Sequence, residues 1–276
     1  MQDIDPDRLD KIAEGREAEI YAWASGTVLR LLRVAGDTSR LAHEAAAMRA
    51  AASCGVPVPA VRGLITASNR PGIVMERVDG QDLLTGIGQR PWTLFRAARL
   101  TGQLQARLHA VVALASLPDL RSLCERRIRR LDAPPELEHL RTFALATLDA
   151  LPDGDRLCHG DFHPGNIIDG PGGAMIIDWP NVTRGAPDAD VARTALLLRL
   201  GEPPPGSPLL VRSLTGAARR LFLSRWAAAY RAMRRPDDEA LARWEVVRAA
   251  ERLTEGIDSE RPALLRLLER RYRARR

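Results

Sequence analysis

Residues 158–181 gather the groups in this chain best able to do chemistry: Cys-His-Gly-Asp-Phe-His-Pro-Gly-Asn-Ile-Ile-Asp-Gly-Pro-Gly-Gly-Ala-Met-Ile-Ile-Asp-Trp-Pro-Asn. Ile167-Ile168 and Met175-Ile176-Ile177 are two short apolar runs. Asp169-Gly-Pro-Gly-Gly between them is turn chemistry, so the segment predicts a β-hairpin. Folded about Gly172, it sets Ile168 against Ile176, Ile167 against Ile177 and Asn166 against Asp178. Directly opposed residues share a face, with Cβ atoms roughly 5 Å apart. An amide oxygen and a carboxylate then converge on a hard oxygen site suited to Mg²⁺.

Asp161 stands five residues before Asn166, in the pattern His159-x-Asp161-x-x-x-x-Asn166. This is the spacing of the kinase catalytic loop, where the Asp handles the substrate hydroxyl and the Asn holds metal. Protein kinases have Arg after the His and Phe-Gly after the later Asp; this chain has Gly160 and Trp179. His-Gly-Asp-Phe-His-Pro-Gly-Asn followed by Ile-Asp-Trp resembles the aminoglycoside phosphotransferase/choline kinase family, and the order of segments is similar over most of the chain. The resemblance implies an α+β, bilobal, protein-kinase-like fold. Residues 1–76 would form a small antiparallel nucleotide-binding lobe with one helix, 77–80 a hinge, and 81–276 a larger helical lobe with the catalytic loop and acceptor site. It implies transfer of the γ-phosphoryl group of ATP or GTP to a hydroxyl of an aminoglycoside-like antibiotic, an amino alcohol or a sugar. Asp161 would orient or deprotonate that hydroxyl, Asn166 and Asp178 would hold Mg²⁺, and His159 would orient the loop.

The elements that must position these residues follow the same order. Arg8 to Ala13, Ile20 to Ala24 and Thr27 to Val34 read as strands. A Glu14-to-Glu19 link containing Gly15 joins the first two, and a Ser25-Gly26 turn joins the others. That turn sets Arg30 opposite Tyr21, near the Gly15 link, whose backbone N–H groups could cover phosphates. The family usually has Lys at the Arg30 position; Arg keeps the charge but is a planar fork. Residues 38–54 carry a helix pattern with Thr38 or Ser39 as cap and Gly55 as stop. Glu44 on it is the expected partner of Arg30. Val61 to Ile65 and Gly72 to Arg77 read as strands around an Asn69-Arg70-Pro71 turn, and the backbone of Glu76 to Val78 resembles the family's adenine-binding segment. Helices are expected over 92–115, 118–131, 137–151, from Ala186, and over 208–233, 238–256 and 260–274. Pro203 to Gly206 reads as a loop, Asp190 as a support behind the catalytic loop, and His109 as a satisfied core histidine.

Two other readings compete. A metal-dependent phosphoesterase would use Gly160-Asp161-x-His163 but needs further His and Asp clusters. A non-catalytic nucleotide-binding module is the other, and an intact Asp161, Asn166 and Asp178 argue against it.

Composition narrows the partners. The 276 residues are 45% hydrophobic, enough for a substantial core. Net charge is +6, and Lys11 is the only lysine. The arginines are interspersed with acids and only 4% of residues are aromatic, so no nucleic-acid surface is indicated. Cys54, Cys124 and Cys158 form no CxxC pair, which suits a reducing cytoplasm. No apolar run approaches membrane-spanning length. A cytoplasmic monomer or homodimer is expected. A polycationic acceptor would call for an acidic pocket; Glu251, Glu255, Asp258 and Glu260 are the candidates, although arginines surround them.

Overall fold

The computed structural model describes residues 6–15, 17–35, 38–131, 137–201 and 216–275. The expected loop at Pro203 to Gly206 and the start of the 208–233 helix lie outside these residues. The fold is α+β.

Five antiparallel strands form the first sheet: β1 (Lys11–Glu14), β2 (Ala18–Ala22), β3 (Thr27–Leu32), β4 (Val61–Ala67) and β5 (Arg70–Glu76), in the order β1-β2-β3-β5-β4. Strand alternation separates two faces. Tyr21, Leu29, Leu31, Ala67 and Val74 form a small apolar cluster on one. Ile20, Val28, Arg30 and Met75 line a cleft on the other. The first strand begins three residues later than expected, because Pro6–Arg8 is one 3₁₀ turn. The β2–β3 connection also differs from the expected two-residue turn. Thr27 N bonds Ala24 O and Trp23 N bonds Thr27 O, so the loop is longer and Arg30 pairs with Ile20 rather than Tyr21.

Helix α1 (Thr38–Ser53) packs against this sheet through Leu41, Ala45, Met48 and Ala51 and stops at Gly55, whose φ of +75° only glycine adopts freely.

After Glu76 the chain becomes mostly helical: α2 (Leu83–Gln89), α3 (Leu94–Leu108), α4 (Leu120–Arg129), α5 (Glu138–Asp149), α6 (Pro187–Leu200), α7 (Gly216–Met233), α8 (Asp238–Leu253) and α9 (Arg261–Ala274). Pro91–Thr93 forms a 3₁₀ turn, and the helix expected over 92–115 ends at Leu108. Val111 and Val112 favour extended backbone, and Val112 bridges to Arg156 instead. Two apolar clusters fill this part. One joins α1, α3 and α7; the other joins α4, α5, α8 and α9 around Trp244.

Two small ribbons are set into the helices. One pairs β7 (Arg156–Cys158) with β10 (Thr183–Gly185). The other runs β6 (Gln81–Asp82), β8 (Ile167–Gly170), β9 (Gly173–Ile176). Among the described residues, no helix is long and apolar enough to cross a membrane.

Candidate active site

The loop between β7 and β8 is held from behind by one buried carboxylate. Asp190, on the first turn of α6 and 1% exposed, accepts from Gly160 N at 2.7 Å and His159 N at 3.3 Å. Its Oδ2 also meets His109 Nε2 at 3.1 Å, and His109 Nδ1 meets the Tyr230 hydroxyl at 2.7 Å. Burial pushes Asp190 up, but the His109 hydrogen bond and charge outweigh it and hold the carboxyl at about 2. Asp190 therefore sits as a permanent anion beneath the loop amides.

Gly160 makes the bend. Its φ is +79°, and a Cβ there would lie 2.4 Å from Asn181 O. The arginine that protein kinases carry at this point has no room here.

His159 is fully buried. Its Nε2 lies 3.0 Å from Ile177 O, so this nitrogen carries the proton and donates across to the hairpin. Burial lowers its pKa, opposed by Asp190, Asp161 and Asp178. The ring is a neutral strut between loop and hairpin.

Asp161 and Asn166 face each other across a 3₁₀ turn, Pro164–Asn166. Asn166 Nδ2 donates to Asp161 O at 2.9 Å and approaches Asp161 Oδ2 at 3.4 Å. That leaves the amide oxygen of Asn166 on the other side, uncommitted among the described residues. His163, given a role by the sequence only in the phosphoesterase alternative, accepts from Gly165 N through Nδ1 at 3.1 Å. Its Nε2 thus carries the proton, 3.7 Å from Asp161 Oδ2. Burial raises Asp161, yet the His163 contact and the Arg193 charge prevail, and the carboxyl lies well below the ordinary range.

The hairpin exists, but its register is one residue from that expected. The turn is tight around Pro171-Gly172, with Ile167 opposite Ile176 and Ile168 opposite Met175. Asn166 is therefore joined to Ile177, through Ile177 N to Asn166 O at 3.0 Å, and not to Asp178. Strict alternation would then send Asp178 to the opposite face. Instead Asp178 is left-handed, with φ +64°, a conformation Asp tolerates better than most residues. Alternation breaks there, and Asp178 and Asn166 line the same cleft. The Trp179 indole, donating to Ile176 O at 3.1 Å, anchors the chain just past the break.

The first sheet supplies the roof. Arg30 Nη1 bonds Glu44 Oε2 at 2.9 Å, and Arg30 Nη2 lies 3.8 Å from Asp178 Oδ1. Glu44 is 2% exposed; burial raises its pKa, and Arg30 and Arg40 offset that only in part. Gly15 lines the cleft, but its N–H is already given to Ala18 O at 2.8 Å and cannot serve a phosphate. At the link to the helical part, Glu76 N bonds Ala60 O, Glu76 Oε2 accepts from Ala60 N, and Arg77 N bonds Gly26 O. Among the described residues Val78 N makes no such bond, which makes it an available backbone donor there.

Arg30, Gly15, Glu76, Val78, Asp161, Asn166 and Asp178 thus line a single cleft of about 1040 Å³. His159 and Glu44 stand behind it. Among the described residues no three His, Cys, Asp or Glu side chains converge as a metal cluster, which is what a two-metal phosphoesterase would need. Asn166 and Asp178 both line the cleft, and an amide oxygen with a carboxylate is the hard-oxygen chemistry that fits Mg²⁺.

Four acids were candidates for an acidic acceptor pocket. Glu251 is fully buried and ion-paired with Arg127, with Arg248 at 3.4 Å and with Arg193 at 3.7 Å. Glu255 is taken by Arg193 at 2.6 Å and by Arg252, and Glu260 by Arg252 at 2.7 Å. Asp258 is exposed and outside the cleft lining. No free acidic pocket is present among the described residues.

The sheet, the braced loop and the cleft between sheet and helices define a protein-kinase-like fold. Residues 9–244 match the model of the APH phosphotransferase enzyme family, so the chain belongs to that family. Among solved structures it is similar to an aminoglycoside-3'-phosphotransferase of type VIII (22% identity, 86% of this chain and 90% of that one, TM-score 0.57). It is similar too to the GDP complex of wild-type aminoglycoside 2'-phosphotransferase-IIIa (19% identity, 95% and 91% covered, TM-score 0.57). A third is the streptomycin–ATP–APH(2")-IIa ternary complex (15% identity, 95% and 91% covered, TM-score 0.55). Comparison with curated protein sequences gave no significant match.

Proposed function

We propose that this phosphotransferase moves the γ-phosphoryl group of ATP or GTP to a hydroxyl of a small molecule. The observation carrying this reading is the shared cleft: Asp161, Asn166, Asp178 and Arg30 line one space of about 1040 Å³, large enough for two substrates. The nucleotide named in relatives' structures, GDP or ATP, suits such a cleft. In this reading residues 1–76 are the nucleotide lobe, 77–80 the hinge and 81–276 the acceptor lobe.

The nucleobase would lie against Glu76 to Val78, meeting the Val78 N–H. Arg30, steadied by Glu44, would hold the α/β-phosphates. Asn166 and Asp178 would hold Mg²⁺, which would supply positive charge to neutralise the phosphates. Asp161 would accept a hydrogen bond from the acceptor hydroxyl and turn its oxygen toward the γ-phosphorus. A new O–P bond forms, the bond from the γ-phosphorus to the bridging oxygen breaks, and the hydroxyl proton passes to Asp161 as the nucleoside diphosphate departs. A carboxyl held below the ordinary range is a weak base. Its main work is then orientation, which suffices for a loose transition state with little nucleophilic demand.

The test is coupled ADP or GDP release with Mg²⁺-nucleotide against a panel of hydroxylated metabolites and antibiotics. Acceptor-dependent release that Asp161→Asn abolishes supports the reading. Phosphate release independent of acceptor, requiring two metals, would favour a phosphoesterase.

A further inference from the structure

The acceptor side of the cleft, next to Asp161, is built from arginine. Arg127 on α4, Arg193 on α6, and Arg248 and Arg252 on α8 line it, with Thr254 and Glu255 completing the wall. Three carboxylates answer these four guanidiniums: Glu251, Glu255 and Glu260. With Asp161 beside them, four carboxylates face four guanidiniums, and the three acids of the wall itself are each already ion-paired.

Two of the arginines are also short of partners. Arg193 is 5% exposed and Arg248 3% exposed. Among the described residues, Arg193 Nε and Nη1 and Arg248 Nε make no hydrogen bond. Glu251 Oε2 also lacks one, at 3.7 Å from Arg193 Nη1 and 3.4 Å from Arg248 Nη1. Crediting that near contact still leaves the Nε–H of both arginines unanswered. Arg248 does reach Cys124 Sγ at 3.3 Å, a weak acceptor. A buried guanidinium with idle N–H groups is costly unless something supplies oxygen acceptors. Planar forks of this kind match carboxylate and phosphate geometry. Ammonium groups, by contrast, would enter against four guanidiniums whose own carboxylate partners are already ion-paired.

We propose that the acceptor carries an oxyanion, a carboxylate or a phosphate, besides the hydroxyl that is phosphorylated, and that Arg193 and Arg248 hold it. This rests on the phosphotransfer reading above. It gives the acceptor a two-point attachment: the anion at the arginines, the hydroxyl at Asp161.

The experiment is calorimetric titration of protein saturated with Mg²⁺ and β,γ-imido-ATP, or its guanosine counterpart. The probes are glucuronate, glucose 6-phosphate, inorganic phosphate, glucose, glucosamine and kanamycin. At least one anionic probe is expected to bind about tenfold or more tighter than glucose, with glucosamine and kanamycin weaker than glucose. Glucuronate alone would identify a carboxylate acceptor, and the phosphates alone a phosphorylated one. Arg193→Gln is expected to erase the anion preference, and Arg193→Lys to retain part of it. Should Arg193→Gln fail to fold, Arg193→Lys and the wild-type ranking still decide. Absence of anion binding to nucleotide-saturated protein, a preference for kanamycin, or an anion preference unmoved by both variants overturns the inference. Failure of the nucleotide itself to bind removes the phosphotransfer reading as well, so the two failures are told apart.

Discussion

Arg30 on β3 and Glu44 on α1 form a buried ion pair at 2.9 Å, and the same guanidinium reaches to within 3.8 Å of Asp178. One side chain therefore touches both the sheet's helix and the hairpin. Arg30→Ala leaves Glu44 buried alone and is expected to cost about 3 kcal/mol of stability. It should raise the nucleotide KM by tenfold or more on the order of a lost charge contact. Arg30→Lys keeps the charge and should stay within about tenfold of wild type. Urea unfolding and nucleotide titrations measure both.

Asp161→Asn removes the acceptor's hydrogen-bond director while keeping its shape. A fall in kcat of about a hundredfold or more is expected, with nucleotide affinity nearly unchanged. Single-turnover ADP release, set beside equilibrium nucleotide binding, makes the distinction. Full residual turnover would refute the role.

Asp178→Ala should abolish the dependence of nucleotide affinity on Mg²⁺. Titrating Mg²⁺ at fixed nucleotide reads this directly, and an unchanged curve would contradict a metal role for the hairpin. Because the residue is left-handed with φ +64°, Asp178→Gly should fold at least as well as wild type while losing metal-dependent binding just as completely.

Gly160→Ala forces a Cβ to within 2.4 Å of Asn181 O at a φ of +79°. The expected loss is roughly 1–3 kcal/mol, together with a lowered kcat as the loop is displaced. Thermal melting and turnover should fall in parallel.

Acid should destabilise the fold in two stages. His159 is depressed in the folded state by burial. Folded protein then binds fewer protons, so stability present above about pH 6.5 declines below it. Asp190 and Glu251 each lie at about 2 when folded, where hydrogen bonds and neighbouring charges outweigh burial. Their contribution is complete above roughly pH 4.5 and lost as pH falls toward 2. Chemical denaturation across pH 2–8 should show both stages, with Asp190→Asn and Glu251→Gln flattening the lower one.

Much of this was legible in the residues. The spacing from His159 to Asp178 marked the loop and the hairpin, and α1 with its Gly55 stop followed from helical periodicity. Strand registers were not legible, because each depends on how a turn closes. One residue of difference moved Arg30 from Tyr21 to Ile20 and Asn166 from Asp178 to Ile177. The hairpin error was harmless to the site only because Asp178 abandons strand geometry, something no periodicity encodes. The acceptor wall was invisible for another reason. Arg127, Arg193 and Arg248 come from three helices and stand among many other arginines. The sequence offers Glu251, Glu255, Asp258 and Glu260 as candidates for an acidic pocket amid arginines, and only the fold pairs Glu251, Glu255 and Glu260 with those arginines.

His159 bonds the hairpin through its ring while its own backbone N–H rests on Asp190. Loop, hairpin and the start of α6 are thereby fastened into one block. Within that block the Asp161–Asn166 spacing is set by the bond from Asn166 Nδ2 to Asp161 O at 2.9 Å. The disorder that would otherwise have to be removed at every encounter with substrate is removed once, when the chain folds.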